Sequence, residues 1–335
     1  MKNITIIGAG SWGCALSRIL GDNGHNVMLY DIDEAAVKEI NEYHTNSKKL
    51  FTSKLPSNVT ATTNLKDAIQ KNDYILLVVP TAVVRSVLKQ INEVINTSKV
   101  FINASKGIEP NTFKRVSEIV KEEINVEFLQ GFVVLTGPSH AEEVVNQKLT
   151  VIAAASDNEA LAKEVQVMFS NKEYFRVYTC DDLIGAELGG SLKNIYAIAA
   201  GIIDGVGYGV NARSAIIARA LVEMKRLAKA LGAKEETLNG LTGVGDLVVT
   251  CTSNLSRNYQ AGYMIGTGDN LDEALSKMTM VVEGARTCVS AYQAARQFNI
   301  YTPIIDAVYD VIYNHKTPKD VIYSLLATQL KNENE

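Results

Sequence analysis

The chain has 335 residues and a net charge of −4, with 33 Lys and Arg against 37 Asp and Glu. That length exceeds what one hydrophobic core usually serves, so two domains are expected. The near-even charge balance argues against a nucleic-acid binder, which normally carries a basic excess or stripe, and the 47% apolar, 21% charged composition excludes a disordered chain. The longest apolar runs, Tyr74 to Pro80 and Ile195 to Ile203, are too short to span a bilayer. A strand-like segment begins within three residues of Met1, which leaves no room for a signal peptide. Cys14, Cys180, Cys251 and Cys288 form no CxxC pair, so neither a disulfide scaffold nor a zinc finger is expected and a reducing cytoplasm suits the chain. The scattered histidines form no HExxH, and no metal site is expected.

Along the chain, Ile4 to Ile7 reads as a buried strand, Ser11 to Asp22 as a helix and Asn26 to Tyr30 as a second strand. Glu34 to Glu42 carries Ala36, Val37 and Ile40 at helical spacing. Tyr74 to Val79 is a continuous apolar strand, followed by a helix from Val83 to Ile91, and the strand signal returns at Val100 to Ala104, Phe132 to Leu135 and Val151 to Ala155. Continuous rather than alternating apolarity predicts strands covered on both faces, hence a parallel sheet with crossover helices. The first domain, residues 1–179, is therefore a Rossmann-like, doubly wound α/β dinucleotide-binding domain. Helical patterns then follow at Asp182 to Asp204, Ala212 to Leu231, Leu271 to Met278, Gly284 to Gln297 and Pro303 to Tyr313. They predict a largely α-helical substrate domain over residues 180–335, with the tail Lys331 to Glu335 free to fray.

Gly8, Gly10 and Gly13 form a GxGxxG run directly after a strand and at the start of a helix, the context this motif requires. Glycine lets the backbone approach a pyrophosphate, and the helix N-terminus offers unpaired N–H groups and a positive dipole end. Asp31 ends the second strand, where a carboxylate can bond the adenosine ribose. Trp12, the only tryptophan, either packs or touches the cofactor.

Lys193 lies in an almost wholly apolar helical stretch from Leu183 to Ile203. A lysine on a surface helix is ordinarily solvated. Burial instead lowers its pKa and makes it a base near neutral pH, so Lys193 is the candidate catalytic group. Thr252 to Asn258 precedes helical residues and reads either as a capped helix with an exposed Arg257 or as a phosphate seat. Lys106 follows the strand Val100 to Ala104, and Gly137 to His140 follow Phe132 to Leu135, both at carboxyl ends of strands where such sheets bind ligands. Ser139 beside His140 does not make a hydrolase, because GxSxG is absent and adjacent residues rarely face each other.

Seven motifs in order, GAGSWG (from Gly8), NASKGIE (from Asn103), GPSHAEE (from Gly137), ELGGSLKN (from Glu187), GVGD (from Gly243), CTSNLSRN (from Cys251) and VVEG (from Val281), resemble the bacterial type of NAD(P)-dependent glycerol-3-phosphate dehydrogenase. The resemblance covers nearly the whole chain. It implies that Lys193 accepts the proton of the substrate's C2 hydroxyl and that Lys106 touches both cofactor and substrate. It places Gly137, Ser139, Asp246, Ser256, Arg257 and Asn258 around glycerol 3-phosphate, with Arg257 and Asn258 near its phosphate. It places Ser11, Trp12, Ala141, Arg257, Val281 and Glu283 along NAD or NADP, and it implies a cytoplasmic homodimer that supplies glycerol 3-phosphate for phospholipid synthesis. Two departures stand out. Asp31-Ile32-Asp33 occupies a place where many members carry a basic residue or histidine suited to a 2′-phosphate, so NADH is expected to be favoured. Cys14 replaces a small residue or threonine. Two other classes fit parts of the pattern: a β-hydroxyacid dehydrogenase, which acts on carboxylates and has no need of the SRN segment, and a non-catalytic dinucleotide sensor, which would not keep Lys106, Lys193, Asp246 and Arg257 together.

Overall fold

The structure, a computed structural model, describes residues 1–50, 53–110, 112–278, 281–327 and 332. The expectation of a frayed tail at Lys331 to Glu335 lies outside the described residues, Asn332 excepted. The chain divides into two compact units: Met1–Ser105 with Arg115–Leu183, and Lys106–Lys114 with Ile184–Glu335.

Among the described residues the first unit holds eight strands: β1 (Asn3–Ile7), β2 (Asn26–Tyr30), β3 (Val59–Thr62), β4 (Tyr74–Leu77), β5 (Lys99–Asn103), β6 (Leu129–Thr136), β7 (Thr150–Ala155) and β8 (Phe175–Cys180). They form one sheet in the order β3-β2-β1-β4-β5-β6-β7-β8. In register, Ile4 of β1 lies between Val27 of β2 and Tyr74 of β4. Ile4, Ile6, Leu29, Leu76 and Ile102 are fully buried, which is why these strands read as unbroken apolar runs. The helix Ser11–Asp22 lays Ala15, Leu16 and Ile19 into the same core.

The sheet is parallel except at one pair, β6 with β7, which is antiparallel. The helix between these strands is the short Ala141–Val145, of 5 residues. β7 and β8, joined through the 11-residue helix Glu159–Phe169, pair in parallel again.

The second unit is helical and packs around Leu192, Ile195, Tyr196, Met224, Leu227 and Ile305. Its spine is the 24-residue helix Leu183–Val206. Backbone contact brings the helix Arg257–Thr267 against it: a Cβ at Gly201 would lie 2.1 Å from the Tyr259 carbonyl oxygen, and one at Gly262 would lie 2.1 Å from that of Ile198. Only glycine tolerates this approach, and it sets the start of the second helix beside the segment that carries Lys193. A further helix, Pro318–Leu326, closes the described part of the unit.

Candidate active site

In the first unit, the glycine turn follows β1 at the point where the strand order reverses between β1 and β4. Gly8 takes φ +108° and its N–H donates to the Tyr30 carbonyl at 2.8 Å. A Cβ on Gly13 would sit 2.0 Å from the Gly8 carbonyl oxygen, so both positions require glycine. A Cβ on Gly10 would meet nothing within 4 Å, so the turn is open above that residue. Gly10 is also the N-cap of the helix Ser11–Asp22 and supplies no side-chain cap. The first N–H groups of this helix are thus uncapped by any side chain and sit under open space, which fits a dinucleotide pyrophosphate. The Trp12 indole nitrogen is buried with no hydrogen-bond partner among the described residues.

Asp31 meets this turn directly. Its Oδ2 accepts from the Ala9 N–H at 2.7 Å and its Oδ1 from the Asp33 N–H at 3.0 Å. Ile32 between them is 84% exposed, so no basic side chain stands over the carboxylate from that position. Gly137 takes φ +144° just after β6, Ser139 Oγ donates back to its carbonyl at 3.0 Å, and Ala141 opens the short helix that packs on Ser11–Asp22.

In the second unit the lysine sits in a charged cluster inside an apolar frame. The Lys193 ammonium donates to Asp246 Oδ1 and, at 2.9 Å, to Thr250 Oγ1. Lys106 Nζ reaches the other oxygen, Asp246 Oδ2, at 3.0 Å. Asp246 is fully buried and Lys193 is 5% exposed, whereas the Lys106 side chain keeps some access to solvent. Burial pulls the Lys193 pKa down to about 7; Asp246 pulls upward and Lys106 adds a further downward push, but burial dominates. Asp246 opens the helix Asp246–Thr252, and Thr250 lies one turn further along the same face. The Gly107 N–H donates to Ser191 Oγ at 3.1 Å, which fixes the segment after Lys106 to the Lys193 helix.

Ser256 caps the helix Arg257–Thr267 by accepting from the Tyr259 N–H at 3.2 Å. Arg257, the first helical residue, is exposed and has no ion-pair partner among the described residues. Asn258 is 9% exposed and is held at both ends of its amide: Nδ2 donates to Asn194 Oδ1 at 3.1 Å, and Oδ1 accepts from the Gly284 N–H at 2.8 Å. The Lys193-Asn194 pair is thereby joined to the Arg257-Asn258 pair. Val281 is 37% exposed, and Glu283 opens the helix Glu283–Gln297 just ahead of Gly284. Thr250 and Asn194 were not singled out from sequence, since a lone threonine and an asparagine carry no signal until the helices are packed. Spacing alone does put Thr250 one turn after Asp246. Among the described residues no group of three His, Cys, Asp or Glu is placed to hold a metal, and no helix is long and apolar enough to cross a membrane.

The arrangement is that of a Rossmann-type, dinucleotide-dependent dehydrogenase. Residues 3–162 match the profile of the NAD-dependent glycerol-3-phosphate dehydrogenase N-terminus, and residues 182–323 match that of its C-terminus. The chain belongs to the NAD-dependent glycerol-3-phosphate dehydrogenase family. It is 50% identical over 333 residues to glycerol-3-phosphate dehydrogenase [NAD(P)+] of Geobacillus kaustophilus, covering 99% of this chain and 96% of that one. It is 49% identical to the Acholeplasma laidlawii protein of the same name, covering 98% of each. The crystal structure of glycerol-3-phosphate dehydrogenase from Coxiella burnetii superposes with a TM-score of 0.92 at 34% identity, covering 98% of this chain and 99% of that one.

Proposed function

We propose that the chain catalyses reversible hydride transfer between NAD(P)(H) and the pair dihydroxyacetone phosphate and sn-glycerol 3-phosphate. The observation that carries the reading is the buried Lys193 on Asp246, joined through Asn194 and Asn258 to the exposed Arg257. A bound nicotinamide would supply or take the hydride at substrate C2. The protein's own part is to move a proton and hold an anion. Lys193 has three N–H donors, two of which go to Asp246 and Thr250. The third is left for the C2 oxygen: the neutral amine takes the hydroxyl proton in oxidation and the ammonium returns it to the ketone in reduction. Asp246 and Lys106 keep the amine in place and set its charge, while Arg257 and Asn258, at the start of a capped helix, receive the substrate phosphate. Gly137 and Ser139 are assigned to the substrate. Gly8 to Gly13, Ala141, Val281 and Glu283 are assigned to the dinucleotide. The direct test is oxidation of NADH with dihydroxyacetone phosphate as the only added substrate; absence of turnover with both NADH and NADPH would overturn the reading.

The lysine sets the pH response. Oxidation of glycerol 3-phosphate needs the neutral amine, so its rate should rise with pH through about 7, the value to which burial brings Lys193. Reduction of the ketone needs the ammonium and should fall over the same range. Opposite limbs in the two directions, measured as kcat against pH at saturating substrates, are the expected result; parallel limbs would exclude Lys193 as the titrating group.

NADH is the favoured cofactor in this reading. An NADP 2′-phosphate would meet the Asp31 carboxylate, and the nearest downstream cation, Lys38, is 73% exposed and only loosely paired with Glu42 at 3.9 Å. Repulsion and a lost hydroxyl bond should cost about 1–2 kcal/mol, roughly 5- to 30-fold in kcat/KM. Because Asp31 also holds Ala9, Asp31→Ala should narrow the gap while weakening both cofactors. A wild-type preference for NADPH at fixed dihydroxyacetone phosphate would show that the carboxylate does not meet the ribose. A cytoplasmic homodimer supplying glycerol 3-phosphate to phospholipid synthesis completes the proposal, and sedimentation equilibrium tests the subunit number.

A further inference from the structure

One buried polar side chain in the first unit has no place in the chemistry above. Asn46 is 1% exposed, and its Nδ2 donates to the Ala9 carbonyl at 2.9 Å across 37 residues of chain. Ala9 is the residue between the first two glycines of the turn. Its N–H is held by Asp31 at 2.7 Å, so both of its backbone groups are pinned by side chains from outside the turn. The Cys14 thiol also donates to the Ala9 carbonyl, at 3.3 Å, and completes a buried cluster beneath the turn.

The segment that delivers Asn46 is itself fixed. His44 takes φ 56° and ends the helix Glu34–Tyr43. Glu39, on that helix, accepts from Thr45 Oγ1 at 2.8 Å, from the Ser47 N–H at 2.7 Å and from Ser47 Oγ at 3.1 Å. Asn46 sits between the two residues Glu39 grips. Asn46 Nδ2 also donates to Cys14 Sγ at 3.5 Å; a buried amide held this firmly, with its shorter bond on a carbonyl of the glycine turn, points to a purpose in that turn. With Asp31 on one side and Asn46 on the other, the Ala9 peptide planes have little freedom, and the N–H groups at the start of the Ser11–Asp22 helix keep a fixed aim.

We propose that Asn46 is a positioning residue for the dinucleotide: with Asp31 it clamps Ala9 so that the glycine turn is preorganised for the pyrophosphate, and Glu39 holds Asn46 in place. The inference rests on the dinucleotide-binding part of the proposed function. Removing the amide leaves a buried carbonyl with only a thiol donor, and the turn then gains freedom that binding must remove, an effect of roughly 10-fold on cofactor affinity.

The test is Asn46→Leu, which keeps the branch at Cγ and lacks the donor, titrated with NADH and with NADPH by quenching of Trp12, the single tryptophan. The expected result is a rise of about 10-fold in Kd and in KM for the dinucleotide, with kcat at saturating cofactor and KM for dihydroxyacetone phosphate within about twofold of wild type. A general loss of structure would not give that split. Glu39→Ala, on a partly exposed carboxylate, carries the test if the first variant does not fold; it should move Kd in the same direction by about 2- to 5-fold. Folded variants with unchanged Kd, or with the loss spread equally over kcat and both KM values, would overturn the inference while leaving the proposed reaction standing. Wild-type protein that binds neither dinucleotide would overturn both.

Discussion

Replacing Lys193 with methionine is expected to lower kcat by roughly 100- to 10,000-fold, the usual loss when a general acid–base is removed. The environment makes the substitution informative. Lys193 is 5% exposed among apolar residues, so the unbranched methionine side chain fits the same channel. Asp246 is not left alone, since Lys106 stays 3.0 Å from its other oxygen. A buried carboxylate with no partner would be far more damaging. The variant should therefore fold, bind NADH as wild type does in the first unit, and fail at the chemical step. Circular dichroism and NADH titration check the first two expectations, and steady-state kcat in both directions checks the third. Retention of more than about a tenth of the wild-type rate at saturating substrate would remove Lys193 from the proton step.

Strands were legible from the chain where both faces of the sheet are covered. β1, β4 and β5 are buried along nearly their whole length, and composition alone marks them. The strands that escape notice are the two at the edges. β3, Val59–Thr62, has 4 residues and buries only alternate positions, so its two apolar side chains do not stand out from a loop. β8, Phe175–Cys180, buries Phe175 and Val177 but exposes Arg176 and Tyr178; the alternation is present, but brief and polar on one side. The antiparallel β6–β7 pair is invisible to hydropathy for a different reason, since an apolar run looks the same in either strand direction.

The candidate site divides along a similar line. GxGxxG and Asp31 could be read because a short stretch of chain contains the whole device: strand, turn, helix start and acid. Lys193 could be read because a charge inside an apolar helix conflicts with its surroundings, and such conflicts mark function. Thr250, Asn194 and Asn46 could not. Each is an ordinary polar residue whose partner lies on another element, and its role exists only once a specific contact is made: Thr250 with Lys193, Asn194 with Asn258, Asn46 with Ala9. Sequence also gave no measure of how Asp246 is used. It was placed near substrate by resemblance; in the structure its carboxylate oxygens hold two lysines, which suits it to set the charge of the base.

Arg257→Ala carries the second large effect, a loss of about 10- to 100-fold in kcat/KM for dihydroxyacetone phosphate, from a charge-assisted bond of roughly 1.5–3 kcal/mol. The structure supplies the reason to expect specificity without instability. Arg257 is exposed, packs no core, and forms no ion pair among the described residues, so its removal costs the fold little. The helix start it occupies keeps its Ser256 cap and the Asn258 links to Asn194 and Gly284, so the other residues of the proposed phosphate seat stay in place. The loss should therefore fall on substrate recognition, with Tm within about 1–2 °C of wild type, as for an ordinary surface substitution. Unphosphorylated dihydroxyacetone separates this from a general defect. It lacks the anion that Arg257 is proposed to meet, so wild type should use it very poorly and the variant no worse than wild type does. Raising the salt concentration should narrow the difference between the two proteins on the phosphorylated ketone, because screening weakens the contact in wild type while the variant has none to lose. If wild type used the two ketones comparably, there would be no phosphate seat at Arg257, and the helix start would be only what its Ser256 cap makes it.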